Sequence, residues 1–491
     1  MRPDQEPSMT TDRRIPRAAA VTLLAAALSP VATLAADDTI ERRFAEMAER
    51  IQALEQDNAG LRQEVTKLRD ESGDPWLTEQ RAAEIRSLVT DVLADADSRS
   101  SLQASGLTAG WNDGFFLASP DGRFRLQVDG QSQIRYIINR RDRASGTDLT
   151  DRYRTGFENT RTRLTLRGHV FGPQFSYLVR GGFSREGGGT PVNGEVGGGD
   201  FRLYDAWVRY QFDDMWSLRF GQFKLPFNRE ELVSSARQLA VERSLVNESM
   251  NIGRSQGIEL TFQGDWLRWA FAFSDGGSDS LLGVNTIVGT QGANTPWSVR
   301  DTEYAFTTRV ETLIAGQWRQ FEQFTSPAGD PFGLLVGAAV HYQAGEWGTT
   351  DQERTWLNTT VDVSLALGGA NVFGALTYTY ADARAAFGIF DIFGAVVQGG
   401  VYVAPKLELF GRLEYGHIDS RRNIVDPKDL WLVTSGVNYY FDGHDVKFTA
   451  DVGFGINDVS QFWSSDIAGY RPDGNTTNPQ IVIRTQFQLL F

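Results

Sequence analysis

The sequence predicts an all-β transmembrane barrel of about sixteen antiparallel strands, preceded by a periplasmic α-helical coiled coil. Three observations carry that reading. In residues 481–491, Ile481, Ile483, Thr485, Phe487, Leu489 and Phe491 share one face of an extended strand, and Arg484, Gln486 and Gln488 share the other. Lipid demands the first face and a water-filled lumen tolerates the second. Runs of the same period recur through the chain beyond residue 120, and the connections between them alternate short and long. No stretch after the amino terminus approaches the roughly 20 apolar residues of a membrane helix. A closed barrel is then the remaining way to satisfy every backbone group in a bilayer.

Residues 1–36 read as a secretory signal peptide. Arg13, Arg14 and Arg17 precede an apolar run over 18–28, and Thr33, Leu34 and Ala35 form a plausible cleavage site. Residues 37–72 carry a heptad seam, with Phe44, Ile51, Asn58 and Val65 at a and Met47, Leu54, Leu61 and Leu68 at d. A helix over 40–68 would be on the order of 43 Å long. Residues 73–119 hold a second helical pattern at Ile85, Leu88, Val89 and Val92, then a polar, glycine-bearing linker over 98–114.

Residues 120–491 form the barrel domain. The first strand, 124–138, sets Phe124, Leu126, Val128, Ile134, Tyr136 and Ile138 against Arg125, Gln127, Asp129, Gln131, Gln133 and Arg135. Fifteen further runs follow, which makes an even number, as bacterial barrels require. Short turns such as Gly172-Pro173, Asp213-Asp214 and Gly443-His444 fall on the periplasmic side and long loops outside. The segment 314–332 breaks this order, being long where a short turn is due.

Alternation puts Arg125, Arg135, Arg161, Arg163, Arg167, Arg180, Arg209 and Arg219 on the lumen face. Guanidinium groups are always charged and grip oxyanions bidentately, so such a column suits stepwise anion transfer. The competing reading pairs them with Asp129, Asp205 or Glu259 as wall braces. The third outward loop, 226–255, is long and charged, with Arg229, Glu230, Glu231, Arg237, Glu242, Arg243, Glu248 and Arg254. Folded inward, it would narrow a barrel of this width. The net charge of -14 resides largely outside this arginine-rich region and describes no single surface.

Enzyme chemistry finds little support. His169, His341, His417 and His444 lie on separate strands or turns, and the chain has no Cys. No catalytic set, metal site or cofactor is expected, and no nucleic-acid partner.

The segment 221–235, Gly-Gln-Phe-Lys-Leu-Pro-Phe-Asn-Arg-Glu-Glu-Leu-Val-Ser-Ser, with Val241-Glu-Arg-Ser244 and the Tyr-Asp-Ala-Trp-Val core at 204–208, resembles the phosphate-selective porin O and P family. The resemblance implies a homotrimeric sixteen-stranded barrel in the outer membrane of a double-membraned bacterium. It further implies an inward third loop, an arginine ladder along the wall and lysines at the mouth. The lysines are a departure here: beyond the coiled coil only Lys224, Lys406, Lys428 and Lys447 remain, and Arg140, Arg141, Arg143, Arg152 and Arg154 would have to serve the mouth. The expected function is passive diffusion of small hydrophilic solutes, anions such as phosphate preferred, with lipid and small anions as partners. The alternatives are an envelope tether that contacts the cell wall through the coiled coil, and an outer-membrane hydrolase.

Overall fold

The computed structural model describes residues 107–112, 114–141, 152–183, 201–277, 302–347, 350–383, 388–420, 429–472 and 479–491, with scattered positions between 52 and 89. The chain divides into two units, Met1–Ser100 and Ser101–Phe491. In the first, positions 59–64 are helical and Leu61 is exposed. The signal peptide and the other seam residues, Phe44, Met47, Ile51, Leu54, Asn58, Val65 and Leu68, lie outside the described residues.

The second unit is a closed antiparallel barrel of sixteen strands with a two-stranded hairpin attached. The hairpin is β1 (Thr108–Trp111) and β2 (Phe115–Ala118). The wall begins with β3 (Arg125–Arg140), β4 (Tyr153–His169), β5 (Phe175–Gly182) and β6 (Arg202–Gln211). It continues through β7 (Trp216–Lys224), β8 (Arg254–Gln263), β9 (Leu267–Ser274) and β10 (Thr302–Ala315). Next come β11 (Gly333–Trp347), β12 (Thr350–Ala366), β13 (Ala370–Ala383) and β14 (Gly388–Ala404). The last four are β15 (Leu407–Ser420), β16 (Leu430–Asp442), β17 (Val446–Gly455) and β18 (Ile481–Leu490). Pairing of β18 with β3, from Ile481↔Arg140 to Leu490↔Gln131, closes the cylinder and leaves no unpaired wall edge. Each of the sixteen period-two runs in the sequence corresponds to one of these strands.

Two expectations are corrected. The linker over 98–114 is not all linker, because Thr108–Trp111 pairs with Phe115–Ala118, and the latter extends the sheet along β3 at Arg125–Val128. The sheet therefore starts before residue 120. The sorting of loop lengths also has more exceptions than 314–332. Strands β11 and β12 are separated by two residues and β13 and β14 by four, both at the end that carries the long loops. Backbone pairing there runs past the apolar alternation, which marks only the lipid-facing part of a strand.

Side-chain direction follows the pleat. Along β18, Ile483, Phe487 and Leu489 are exposed on the outer face, whereas Arg484, Gln486 and Gln488 are buried within. In β4 one extra residue enters opposite Gln133 and Ile134, so Phe157 points outward while Arg161 and Arg163 still point in.

Three connections fold into the barrel. The first is 225–253, with short helices α1 (Arg229–Leu232) and α2 (Leu245–Met250), the latter capped by the Ser244 side chain, which accepts from the Asn247 N–H. The second is 316–332, the long turn at the short-turn end: Phe321, Phe324 and Ser326 are buried, and Arg237 O accepts from the Phe324 N–H. It is long because it supplies packing to the interior. The third is the last long loop, whose Val459, Phe462, Trp463, Ala468 and Tyr470 are buried.

Candidate functional site

Inward-facing charge is distributed unequally around the wall. On β3 to β9 the eight arginines named from the sequence are joined by Arg268 and, at strand ends, Arg202, Lys224 and Arg254. The carboxylates on those strands are Asp129, Glu158, Asp205 and Glu259. On β10 to β18 the inward cations Arg309, Arg354, Arg412, Lys447 and Arg484 face Glu311, Asp362, Glu408, Glu414 and Asp451. The first sector has a large excess of positive charge and the second has none.

The two sectors also differ in access. Arg167 keeps 47% of its side chain exposed, Arg180 34% and Arg219 16%. Arg309, Arg412 and Arg484 keep 3%, 2% and 0%. The infolded segments lie against β10 to β18 and also cover Arg135 and Arg161 of β3 and β4, each 1% exposed, but leave the β4 to β7 wall open at Arg167, Arg180 and Arg219.

Contacts explain the covering. Lys447 Nζ donates to Gln238 O at 3.0 Å, Asn438 Nδ2 to Leu239 O at 2.9 Å and Arg412 to Glu242 O at 2.8 Å. Asp451 accepts the Val241 N–H at 2.9 Å and Glu414 the Leu245 N–H at 2.6 Å. Arg229 donates to Ser364 Oγ at 2.9 Å and also to the carbonyl of Phe321. On the opposite side Glu242 is gripped by Arg161 through two bonds, 2.5 and 2.7 Å, and by Arg135 at 3.1 Å. The segment 225–253 thus spans the lumen from β3 and β4 to β12 and beyond. Within it, Glu230 accepts from the Ser244 N–H and Oγ, and Glu231 pairs with Arg243 and Lys224. Burial alone would raise Glu231, but Arg243, Lys224 and Arg254 outweigh it and hold its carboxyl at about 2. At Glu248 the balance is reversed: burial, then repulsion from Glu242, outweighs Arg243 and pushes it up to about 8. Burial likewise draws Arg229 below its usual range. Arg237, more exposed, meets Glu322 at 3.0 Å.

The wall arginines divide by partner. Arg167 pairs with Asp129 at 2.7 Å, Arg180 with Asp205 at 3.3 Å and Arg219 with Glu259 at 2.6 Å. Arg254 also reaches Asp205, at 2.9 Å. Aromatic rings hold several guanidinium groups. Arg163 lies over Tyr204, Arg209 over Trp207, Arg219 over Phe223 and Arg125 over Phe116, between 4.1 and 5.0 Å from the ring centroids. Arg125 and Arg209 form no ion pair with a described residue. A ring fixes a guanidinium without cancelling its charge, so these two stand as net cations. Alternation finds the arginines but not the rings beneath them; Tyr204 and Trp207 stand out in the sequence only as part of the 204–208 motif.

The expected mouth residues are only partly described. Arg154 is exposed and Arg141 donates to the carbonyl of Pro472, whereas Arg143 and Lys428 lie outside the described residues. The four histidines stay apart: His169 contacts Gly122 O, His341 contacts Thr307 and Gln343, and His417 contacts Asp429. Among the described residues no cluster could hold a metal ion.

Residues 133–310 match the family described as phosphate-selective porin O and P. A protein of Aquifex aeolicus (strain VF5), described as uncharacterized, is 25% identical over 274 residues, 52% of this chain and 63% of its own length. The chain thus spans less than two thirds of that relative. Among solved structures, the outer membrane channel DcaP of Acinetobacter baumannii superposes with a TM-score of 0.50 at 14% identity, over 77% of this chain and 99% of that one. The anion-selective porin from Comamonas acidovorans gives 0.49 at 14% identity, over 74% and 99%. The likeness to DcaP shows the fold, a closed antiparallel β-barrel. The likeness to the phosphate-selective porin O and P family is carried by residues 133–310, β3 to β10 of the wall.

Proposed function

We propose that the barrel is a passive outer-membrane channel for small hydrophilic solutes that prefers anions, phosphate among them. The observation that carries this reading is the coincidence of charge and access. The sector left open by the infolded segments, β4 to β7, is the one with excess inward arginine. Diffusion along such a wall needs no cofactor, and lining charge with pore width sets what passes. Ion pairs with Asp129, Asp205 and Glu259 discount part of the column, so Arg209 and Arg125, held by rings, carry the preference. The segment 225–253 narrows the passage. The reading extends to a homotrimer in the outer membrane, on the family resemblance, and to a periplasmic coiled coil over residues 40–68.

Planar-bilayer recording across a salt gradient tests the proposal. Ohmic steps and a reversal potential on the anion side are expected. Arg209→Ala removes one cation without orphaning a carboxylate, so it should lower anion preference while leaving step size nearly intact. Cation preference in the unaltered protein, or no steps at all, would sink the reading.

A further inference from the structure

The inward face of β12 to β18 departs from what a water-filled barrel requires. Near the long-loop end, Trp356, Phe390, Ile392, Ile418, Leu430, Leu432 and Val482 all occupy lumen-facing positions and are buried. A lumen wall facing water is polar. These side chains are dry because they pack with Val246 and Met250 of α2 and with Phe462, Trp463 and Tyr470 of the last long loop.

The wall is hollowed to receive these residues. Gly394 of β14 and Gly416 of β15 are direct partners across the two strands. A Cβ at Gly394 would lie 2.5 Å from Val246 Cγ1 and 2.6 Å from Met250 Sδ, and one at Gly416 would enter the Trp463 ring. Gly453 of β17 leaves room for the Tyr470 hydroxyl in the same way. Polar ties fix the arrangement. Ser249 Oγ donates to Phe462 O at 3.2 Å, and Arg484 donates to Ala468 O at 2.9 Å while paired with Asp451 at 2.7 Å. Asn139 Nδ2 donates to Gly469 O at 2.8 Å. Asp451 also accepts from Val241 of the other infolded segment, so one ion pair anchors both.

We propose that residues 458–470 and α2 form a fixed stopper, seated on Gly394, Gly416 and Gly453, which seals the β12 to β18 half of the lumen. Solute then moves only beside β4 to β7, and Trp463 with Gly416 sets the size limit and keeps every passing ion within reach of the arginines. A loop that swung outward would expose at least seven apolar side chains to water, so the stopper stays in place rather than gating. This rests on the channel reading above for its effect on solutes, but not for the seal itself.

Two measurements separate the seal from the channel. Deletion of 458–470 with a short Gly-Ser bridge, and independently Gly416→Leu, should each raise single-channel conductance about twofold or more and reduce anion preference, because the added width lies away from the arginines. The second measurement needs no current. Thr434, buried beside Gly453, takes a Cys in a chain that has none, and a membrane-impermeant maleimide should label it slowly in the otherwise unaltered barrel and at least tenfold faster in the deletion. Heat-modifiable migration on gels confirms that each variant still forms a barrel. Unchanged labelling in a folded deletion variant overturns the stopper. Faster labelling with unchanged conductance upholds the seal and overturns its role in setting size. A barrel without steps before and after deletion, yet with faster labelling, upholds the seal and sinks the channel reading alone.

Discussion

Glu242→Gln isolates the tie that holds the infolded segment to the arginine side of the wall. The Glu242 carboxylate accepts from Arg161 at 2.5 and 2.7 Å and from Arg135 at 3.1 Å, with all three side chains 1% exposed. An amide keeps the shape but turns an N–H toward a guanidinium that can only donate. Breaking a buried ion pair on one side costs about 3–5 kcal/mol, because the remaining charge stays buried and uncompensated. Arg135 retains Glu158 and Arg161 retains Gln133, which places the effect toward the lower bound. Four charge-assisted bonds still anchor the segment to the far wall, through Asp451, Glu414, Arg412 and Lys447. At about 1.5–3 kcal/mol each they sum to about 6–12 kcal/mol, more than the loss. The segment should therefore stay inside. The group Arg135, Arg161, Glu158 and Glu242 goes from balanced to one excess positive charge. Heat-modifiability should show a lower unfolding midpoint, and bilayer recording a reversal potential shifted further to the anion side with little change in step size. Steps several times larger would mean that Glu242 alone retains the segment. An unmoved midpoint with an unmoved reversal potential would mean that the charge network has been misread.

Two further outcomes follow from the same network and from the sequence. Glu248 keeps its proton to about pH 8 when folded and loses it near 4.3 when unfolded, so the folded state binds more protons between those values. Stability should fall as pH rises through that window, and Glu248→Gln should flatten the dependence; an identical pH profile in the variant would refute the assignment. For residues 37–72, Asn58→Ile should raise the melting point of the isolated peptide while mixing its oligomeric states, as read by sedimentation. A peptide that stays monomeric at high concentration would exclude the coiled coil.

Alternation made the wall legible. A strand with lipid outside and a lumen inside writes its two environments into odd and even positions, and β18 shows this in ten residues. The arginines of the lumen face are legible on the same grounds. Their partners are not: Arg161 meets Glu242, which is 81 residues away, and Arg209 rests on Trp207 rather than in an ion pair. Strand periodicity fixes the side of a residue but not its neighbours across the lumen. The hairpin over 108–118 escaped because four-residue strands are too short to display a period. The apolar side chains at lumen positions, Trp356, Phe390, Ile392, Leu430 and Leu432, break the expected polarity, and the period-two reading passes over them. What covers them depends on where two loops far apart in sequence return inside the cylinder. The sequence by itself determined that a barrel forms and which face each strand residue takes, because both follow from local alternation against two solvents. Only the closed tertiary structure decided which half of the lumen is filled and which arginines remain free, since those depend on contacts between segments hundreds of residues apart.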